Sequence, residues 1–307
     1  MTQEAADVLV LGTGIAGCAA ALAAARDGAS VTLVTRAEHA QESNTYYAQG
    51  GIVARPPGDT PERLAADIER AGDGLCSPEA ALLLAREGPE LVEKLLIEEL
   101  GVPFDRDGAG FHWTLEGAHT VARVLHVKDE TGAPVERALL EACRREPNIH
   151  WRVETTAVDL LTPSHDSVDP TDRYRPPAVI GAFLLSRGVN GVTPQLARET
   201  ILATGGLGQV YLHTTNPAGA RGDGFAMAKR AGARLLNLEY IQFHPTALVH
   251  SKGRLLLTEA LRGEGARITD ASGKEFLRAV HPDGELAPRD VVARAIHQRM
   301  KTPRSTF

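Results

Sequence analysis

The first 35 residues combine short apolar runs with one glycine-rich turn. The apolar run Val8–Leu11 precedes the glycines of Gly12–Gly17, and the alanines of Cys18–Arg26 then recur at helical spacing. Gly28 is predicted to end this helix, and the apolar positions of Ser30–Thr35 predict a second strand. This order of strand, turn and helix is typical of a dinucleotide-binding fold, in which the helix N-terminus faces a pyrophosphate. The pattern therefore predicts an α/β fold with a Rossmann-like nucleotide site.

The middle of the chain is predicted to fold mainly into helices. Residues 61–101 carry apolar side chains at helical spacing and predict two or three helices, and a further helix is predicted over Ala133–Arg145. We expect the apolar stripe of the first group to pack against other parts of the protein. The stripe comprises Leu82, Leu83, Leu84, Leu91, Val92, Leu95 and Leu96.

Extended segments follow these helices. Three apolar runs predict a small antiparallel sheet: Ile149–Val153, Val158–Leu161 and Val179–Leu185. The segment Ser164–Pro177 is rich in aspartate, proline and serine and is predicted to be a linker. The sequence contains no internal repeat or low-complexity tract.

A second turn from strand to glycine follows later in the chain. The apolar residues of Glu199–Ala203 predict a strand, and the glycines of Thr204–Gly208 allow the main chain to approach a ligand closely. The segment Gly219–Gly224 then precedes a predicted helix over Phe225–Gly232. Asp223 either caps this helix or binds a ribose.

Three clusters of polar and charged residues lie in the C-terminal part of the chain. They are Gln242–Thr246, Thr258–Gly265 and Leu286–Asp290, and turn-forming residues interrupt them. A single histidine or arginine most often has a structural role. Three such clusters in one stretch of chain favour a functional site over a solvated face.

Composition and charge exclude several classes of protein. The chain of 307 residues is 43% apolar and 23% charged, which indicates a globular protein of about two domains. Its net charge of −6 indicates no surface for nucleic acid or anionic lipid. Cys18, Cys76 and Cys143 are isolated and provide neither a disulfide framework nor a CxxC metal site, so no metal ion is expected. The polar start Met1–Asp7 is no signal peptide and no apolar run is long enough to span a membrane, so the expected location is cytoplasmic.

The end of the second predicted strand departs from the usual dinucleotide site. An acidic residue that binds a ribose hydroxyl is common there, whereas this chain has Thr35 and Arg36. Arg36 is compatible with the 2′-phosphate of NADP. The segment Gln41–Gly51 combines hydroxyls, amides and a glycine pair, which suits a large polar cofactor but also an ordinary surface loop. The residues alone leave these alternatives open.

These motifs together resemble those of the succinate dehydrogenase and fumarate reductase flavoproteins, and within that superfamily the branch that oxidises L-aspartate. Four features carry the resemblance: Gly12–Gly17, Ala48–Gly51, Ala203–Gly206, and the series HPT, TEALRGEG and LAPRD. The resemblance covers nearly the whole chain. It implies a Rossmann-like FAD-binding domain with a small antiparallel sheet, expected over 1–234, and an inserted α+β capping domain, expected over 235–307.

The resemblance also implies a cofactor site for noncovalent FAD. The respiratory members bind FAD covalently through a histidine, and this chain has Asn44 at that position. On the same pattern Arg36 would contact the adenosine side, Ala157 and Val158 would meet the adenine through their backbone, and Asp223 would lie near the flavin. NADP is no longer needed to explain the basic residue. The implied cofactor-binding residues are Gly12, Gly14, Ile15, Ala16, Gly17, Arg36, Asn44, Thr45, Tyr46, Tyr47, Ala48, Gln49, Gly50, Gly51, Ala157, Val158 and Asp223.

The implied activity is oxidation of L-aspartate to iminoaspartate, the first step of NAD biosynthesis through quinolinate, with electrons passing to O2 or fumarate. Glu116 would meet the substrate ammonium group, and Arg289 would move protons. Since a guanidinium with a pKa of about 12.5 is a poor base, a purely electrostatic role for Arg289 stays open. The implied catalytic residues are Arg289, Glu116 and His244, and the implied substrate-binding residues are Gln242, Thr258 and Glu259.

Two alternatives to this interpretation stay open. One is a fumarate reductase or succinate dehydrogenase flavoprotein, and the other is an inactive FAD-binding remnant. Members of the superfamily continue beyond the LAPRD region with further substrate and flavin contacts. We therefore expect the 307-residue chain by itself to bind FAD weakly, if at all, and to lack measurable activity. The expected partners are L-aspartate, O2 or fumarate, and quinolinate synthase, with neither nucleic acid nor a membrane.

Overall fold

The computed structural model describes residues 5–108, 110–250, 253–263 and 265–301. The strands in these residues are β1 (Ala6–Leu11), β2 (Val31–Val34), β3 (Ile52–Val53), β4 (Arg106–Asp107), β5 (Gly110–Phe111), β6 (Val124–Leu125), β7 (Ile149–Arg152), β8 (Thr155–Leu160), β9 (Gly181–Ser186), β10 (Thr193–Leu202), β11 (Ala247–His250) and β12 (Gly253–Leu256). The α-helices are α1 (Ile15–Arg26), α2 (Pro61–Ala71), α3 (Pro78–Leu91), α4 (Gly132–Arg145), α5 (Pro163–Asp166), α6 (Asp223–Arg230), α7 (Ala260–Gly263) and α8 (Arg289–Met300). A π-helix continues α3 over Val92–Glu99, and short 3-10 helices occupy Asp172–Tyr174, Gly208–Val210, Leu277–Ala279 and Gly284–Leu286.

The chain divides into two compact units. The first unit consists of Met1–Ala48 and Gly132–Glu239, and the second of Gln49–Thr131 and Tyr240–Phe307. The predicted boundary after residue 234 lies near the later crossing between units. The predicted first domain, however, includes residues 49–131, which belong to the second unit. Local hydrophobic spacing predicts the helices of this segment but not the unit against which they pack. The sequence therefore did not indicate that residues 49–131 belong to the second unit.

One six-stranded sheet forms the centre of the first unit, in the order β7-β2-β1-β10-β9-β8. Strands β7, β2, β1 and β10 are parallel, whereas β9 and β8 pair antiparallel. The strand β1 lies in the middle, with Leu9 opposite Thr32 on one side and Thr200 on the other. Its Leu9 and Val10 are fully buried, as is typical of a central parallel strand. The predicted α/β fold with a small antiparallel part is confirmed.

Close backbone contacts explain two glycines of the first turn. Gly12 has a φ of +118°, and a Cβ there would lie 2.2 Å from the Ala203 carbonyl oxygen. A Cβ on Gly17 would lie 1.9 Å from the Gly12 carbonyl oxygen. Only glycine fits at both positions, because real side chains do not approach so closely. The turn therefore holds α1 directly against the ends of β1 and β10.

The predicted antiparallel sheet is correct in part. Strands β8 and β9 form an antiparallel pair, as expected. The run beginning at Ile149 was predicted to join them, but it forms β7, which pairs parallel with β2 at Val31. The connecting helix α4 packs against α1 and returns the chain to the far edge of the sheet. Strand pairing depends on this crossover, which the local pattern does not contain.

Two helices with regular N-caps begin the second unit. The Thr60 hydroxyl caps α2 and the Ser77 hydroxyl caps α3, each followed by proline at the first helical position. Ala85 of α3 is fully buried and packs with the buried Leu64 of α2. The predicted apolar stripe is wrong in part. Three of its members are mostly exposed, namely Leu83, Leu84 and Leu91. Small residues on the opposite side of α3 make the contact instead.

The C-terminal part of the second unit has its own small core. The side chains of Leu277, Ala287, Val292 and Ala295 are buried together, so α8 packs against the loops before it. Three two-stranded antiparallel sheets also belong to this unit, namely β3/β6, β4/β5 and β11/β12. Among the described residues, no helix is both long and apolar enough to cross a bilayer, and no group of three or more histidine, cysteine or acidic side chains has the arrangement of a metal site.

Candidate functional site

Backbone groups form most of the first glycine turn. Helix α1 begins after Gly14, and the Ile15 N–H donates to the Thr45 hydroxyl at 3.0 Å. A Cβ on Gly14 would lie 3.2 Å from Thr45 Oγ1 and 3.6 Å from Ser43 Cβ, so the predicted cofactor loop borders this glycine. The positive end of the α1 dipole lies at the same point. The residues present therefore fit the pyrophosphate of a dinucleotide.

The second glycine turn lies beside the first. The Ala203 N–H donates to the Leu11 carbonyl oxygen at 2.9 Å, which holds this turn next to the end of β1. Gly205 has a φ of +71°, and a Cβ there would lie 4.0 Å from Asn44 Nδ2. At Gly206 a Cβ would meet no heavy atom of the described chain within 4 Å. The two turns thus leave open backbone at the ends of neighbouring parallel strands, where α/β folds bind their ligands.

The predicted cofactor loop is divided between the two units. Asn44–Ala48 belongs to the first unit and Gln49–Gly51 to the second. In the first part the rings of Tyr46 and Tyr47 pack edge to face, with centroids 5.3 Å apart. In the second part a Cβ on Gly51 would lie 2.3 Å from a main-chain oxygen. Close packing of the backbone therefore fixes the glycine pair at its end.

Arg36 and Asp223 lie together rather than at separate ends of the site. The Arg36 guanidinium pairs with the Asp223 carboxylate at 3.2 Å, and Arg221 pairs with the same carboxylate at 2.7 Å. Burial and the charge of Arg221 lower the pKa of Arg36. Gly222 caps α6, so the predicted capping role of Asp223 is wrong. The expected positions of Arg36 at the adenosine and of Asp223 near the flavin stay predictions, and the structure adds that the two side chains form an ion pair.

A cavity of about 600 Å³ opens beside Arg36. The residue Thr156 lines it and directly precedes Ala157 and Val158, where β8 bulges away from β9. A bulge leaves backbone groups outside the strand ladder, so they are available to a ligand. The predicted adenine contact at these two residues therefore has backbone groups to use. The lining residues are Arg36, Glu38, Glu154, Thr156, Leu185, Ser186, Arg187, Gly188 and Val189.

A second cavity, of about 400 Å³, lies within the second unit. It brings together four of the residues predicted to act on the substrate, although they are far apart in the sequence. These four are Glu116, Gln242, Glu259 and Arg289. Its other lining residues are Asp67, Ile68, Ala71, Gly117, Ala118, His119, Pro288 and Asp290.

Arg289 is held in place by two of these neighbours. Its Nε donates to Glu259 Oε2 at 2.6 Å, and its Nη1 donates to Gln242 Oε1 at 3.1 Å. The other carboxylate oxygen of Glu259 pairs with the buried Arg262 at 3.0 Å. An arginine paired with a carboxylate stays charged. This geometry is compatible with the electrostatic role of Arg289 that the sequence left open.

Glu116 is a carboxyl group of the cavity whose pKa is raised. Burial raises the pKa of Glu116, the Arg289 guanidinium lowers it, and the Glu259 carboxylate raises it again. A backbone hydrogen bond from Gly51 lowers it as well. The net effect is a carboxyl group that holds its proton more tightly than usual. A cation placed beside it would restore the carboxylate form.

His244 and Thr258 lie outside the described lining of this cavity. The Nδ1 of His244 lies 2.9 Å from the Thr246 carbonyl oxygen. Burial lowers the pKa of the His244 imidazole, the Thr246 backbone bond raises it, and Arg289 lowers it again, so the neutral imidazole is favoured. Thr258 precedes Glu259 in the chain. Glu264, in the same motif, lies outside the described residues.

His119 lines the cavity, but the sequence did not predict it as a site residue. The buried Arg123 pairs with Asp67 at 2.5 Å and with Asp59 at 2.9 Å, and its Nη1 lies 2.8 Å from His119 Nδ1. Because a guanidinium only donates, Nδ1 accepts and the proton of the neutral ring is on Nε2. Burial and the charge of Arg123 lower the pKa of His119. Its place three residues after Glu116 was the available signal.

Comparison with known proteins identifies relatives over nearly the whole chain. The family model of the FAD binding domain, FAD_binding_2, matches residues 7–306. The L-aspartate oxidase of Halobacterium salinarum is 45% identical over 296 residues, which cover 94% of this chain and 55% of the relative. The L-aspartate oxidase of Pseudomonas aeruginosa is 42% identical over 305 residues, with 96% and 55% covered. The chain thus spans about half the length of the curated relatives it matches.

Solved structures give the same result for the fold. The quinol fumarate reductase FrdA of E. coli has a TM-score of 0.86 and 27% identity, and covers all of this chain and 52% of its own. Sdh1 of Mycobacterium smegmatis has a TM-score of 0.80 and 32% identity, with 100% and 51% covered. The matched family and the two glycine turns agree on FAD as the cofactor. The chain therefore belongs to the FAD binding domain family, within the flavoprotein superfamily of succinate dehydrogenase and fumarate reductase.

Proposed function

We propose that this protein is an L-aspartate oxidase that converts L-aspartate to iminoaspartate in the cytoplasm. The observation that carries the proposal is a cavity in which the Glu116 carboxyl lies near the Arg289 guanidinium, in a chain similar to proteins named L-aspartate oxidase. FAD, when bound, supplies the acceptor for the hydride that leaves Cα, and O2 or fumarate takes the electrons afterwards. The product would pass to quinolinate synthase for NAD biosynthesis.

Glu116 has the role of binding the substrate amine. An α-ammonium group needs an anionic partner, and a charge-assisted hydrogen bond to a half-buried carboxylate provides one. Because burial raises the pKa of Glu116, this carboxylate also accepts a proton from the ammonium group more readily than an exposed one. Loss of that proton must accompany the formation of the C=N bond. Glu116 therefore serves as amine ligand and as proton acceptor.

Arg289 has the role of binding a substrate carboxylate. Glu259 and Gln242 fix its guanidinium through two hydrogen bonds, so little side-chain freedom is lost when the substrate binds. His119 adds an N–H donor on the same cavity, because its Nδ1 already accepts from Arg123. We assign the carboxylate of the substrate to Arg289 and His119. His244 and Thr258 stay proposed carboxylate ligands.

Fumarate reduction is the second candidate function, because FrdA shares the fold at a TM-score of 0.86. Glu116 decides between the two reactions, since fumarate has no amine for a carboxylate to bind. We expect Glu116→Gln to lower kcat/KM for L-aspartate by one to two orders of magnitude, about 1.5–3 kcal/mol of lost interaction. Fumarate reduction should change much less. Glu79→Gln, on the exposed start of α3, is the matched control.

The measurement is hydrogen peroxide release with L-aspartate, beside fumarate reduction by the same preparation. Equal losses in both reactions would show that Glu116 does not select the amine. A protein that reduces fumarate and leaves L-aspartate unchanged would support the second candidate and overturn the first.

The flavin is proposed to be noncovalent, because Asn44 has no nucleophilic ring nitrogen to form a link. We expect acid precipitation of the holoprotein to release all of the yellow colour into the supernatant. The absorbance of supernatant and pellet provides the measurement. Colour that stays with the pellet after washing would contradict the assignment.

A further inference from the structure

A buried carboxyl group lies next to the first glycine turn and has no part in the proposed reaction. Glu136 of α4 is fully buried, and its Oε1 lies 3.2 Å from the Ser43 hydroxyl oxygen. Its Oε2 has no hydrogen-bond partner in the part of the chain that the structure describes. A buried carboxylate with so few partners is costly, so the neutral acid is favoured. Burial raises the pKa of Glu136 to about 7, although the Ser43 hydrogen bond lowers it.

Ser43 connects this carboxyl group to the nucleotide turn. A Cβ on Gly14, at the start of α1, would lie 3.9 Å from Ser43 Oγ and 3.2 Å from Thr45 Oγ1. The Tyr46 N–H donates to the same Ser43 oxygen at 3.1 Å. Ser43 as a whole residue is only half-buried. The hydroxyl therefore lies between the buried Glu136 and the expected position of the pyrophosphate.

The hydrogen-bonding capacity of Ser43 links the protonation state of Glu136 to the binding of a phosphate oxygen. A hydroxyl group has one proton to donate and two lone pairs that accept. One lone pair accepts from the Tyr46 N–H. If Glu136 is ionised, Ser43 must donate its only proton to the carboxylate. If Glu136 is protonated, its O–H donates to the second lone pair, and Ser43 keeps its own proton for a phosphate oxygen.

Few other titratable groups face Glu136. Helix α4 packs against α1, where the thiol of Cys18 lies near Glu136. The hydrogen bond with Cys143 and burial raise the pKa of Cys18 well above its usual range, so this thiol stays neutral around pH 7. Arg144 of α4 is exposed and lowers the pKa of Cys18 slightly. Tyr46 approaches from the loop through its backbone. Glu136 is therefore the group expected to titrate here.

We propose that Glu136 is a proton-carrying positioning residue for FAD. In its protonated state it turns the Ser43 hydroxyl toward a phosphate oxygen of the cofactor. Loss of this proton reverses the hydrogen bond between the two side chains and places a negative charge beside the doubly charged pyrophosphate. FAD binding to the first unit then takes up a proton and weakens as pH rises. The proposal rests on the FAD binding described above and not on the identity of the substrate.

The test is titration of the purified apoprotein with FAD, followed by flavin fluorescence, between about pH 6 and about pH 8.5. Above the pKa of Glu136 we expect the Kd of the wild type to rise by up to about tenfold per pH unit. Glu136→Gln keeps a permanent N–H donor toward Ser43 and cannot titrate. Its Kd should therefore stay near the low-pH value of the wild type throughout. Glu141→Gln, on the exposed face of the same helix, should keep the pH dependence of the wild type.

Calorimetry provides a second readout that needs no variant. Titrations in buffers of different ionisation enthalpy report the number of protons taken up on FAD binding. The wild type should take up a fraction of one proton near pH 7.5. Where the Glu136→Gln protein is also available, it should take up none. A wild-type Kd that is independent of pH, or a Glu136→Gln protein with the slope of the wild type, would overturn the proposal. A wild type without any FAD binding would overturn this proposal together with the cofactor use on which it rests, and it would agree with the weak binding expected from the sequence for the 307-residue chain. Should the variant fail to fold, proton uptake by the wild type decides.

Discussion

The two candidate sites are built from different materials. The nucleotide turns of the first unit consist of backbone, and glycines at van der Waals contact define their shape, as at Gly12 and Gly17. Charged side chains line the cavity of the second unit. The charge of the Arg289 guanidinium there lowers the pKa of the Glu116 carboxyl group, which burial raises. Substitutions in the first site act through steric overlap. Substitutions in the second act through charge, and therefore through pH.

This difference suits the first site to binding a cofactor and the second to proton transfer. A backbone cradle recognises the part of a cofactor that never reacts, and it needs rigidity more than tunable groups. A cavity of paired charges adjusts proton affinities, as the proposed oxidation of an amine would require. Glu136 is the exception in the first unit, since it is a titratable group beneath a backbone site. Variants that change shape in one site and charge in the other therefore test this difference between the two sites.

Gly17→Ala should have the largest effect. The new methyl group would lie 1.9 Å from the Gly12 carbonyl oxygen, so α1 must move away from the turn. We expect about 3 kcal/mol of lost stability, as in severe overpacking, and loss of measurable FAD binding. Thermal unfolding and FAD titration provide the measurements.

Gly88→Ala is the control for that substitution. Gly88 lies within α3, where a Cβ would make an ordinary contact at 3.5 Å with Leu84. The change should leave FAD binding intact and stabilise the helix by up to about 1 kcal/mol. Equal damage from both substitutions would show that the close contact at Gly17 has no special importance.

Arg289→Lys should have the next largest effect. Lysine keeps the positive charge but lacks the planar guanidinium fork, through which Arg289 bonds to Glu259 by Nε and to Gln242 by Nη1. A misplaced cation orients the substrate carboxylate poorly, so we expect kcat/KM for L-aspartate to fall by about 100-fold. FAD affinity should not change. A variant with full activity would show that the positive charge alone is sufficient and that the fixed geometry of the guanidinium is not required.

The smallest effect expected is a shift in pH dependence. Glu116 must be ionised to bind the ammonium group, and its raised pKa puts the loss of activity on acidification above the ordinary carboxyl value of about 4.3. Activity should therefore be present at neutral pH and fall as pH drops through this pKa. The profile of kcat/KM for the wild type and for Glu116→Gln provides the check. An acid limb that persists unchanged in the variant would assign it to another group.

The sequence predicted the glycine turns well because their signal is local. The spacing of Gly12, Gly14 and Gly17 after an apolar run is sufficient to indicate the strand, the turn and the helix. The polar cavity was foreseen less completely. Four of its six predicted residues line the cavity, whereas His244 and Thr258 are not among the lining residues. His119 was missed because its orientation depends on Arg123, and Arg123 in turn pairs with Asp67, which lies 56 positions earlier in the chain.

Pairing between distant segments accounts for the other differences. The parallel position of Ile149–Arg152 depends on the crossover through α4, and the assignment of residues 49–131 to the second unit depends on tertiary packing. The exposed Leu83, Leu84 and Leu91 show the same limit, because periodicity does not distinguish which of two helical faces meets a partner. Ser43 and Glu136 likewise lie 93 positions apart in the chain.

The most direct test of the proposed function is anaerobic mixing of the FAD-loaded protein with L-aspartate, with succinate in a parallel sample. Flavin absorbance follows the transfer of electrons, and analysis of the mixture identifies the product. We expect rapid bleaching with L-aspartate, formation of iminoaspartate or its hydrolysis products oxaloacetate and ammonia, and little bleaching with succinate. Rapid bleaching by succinate with an unchanged flavin spectrum in L-aspartate would contradict the proposed function.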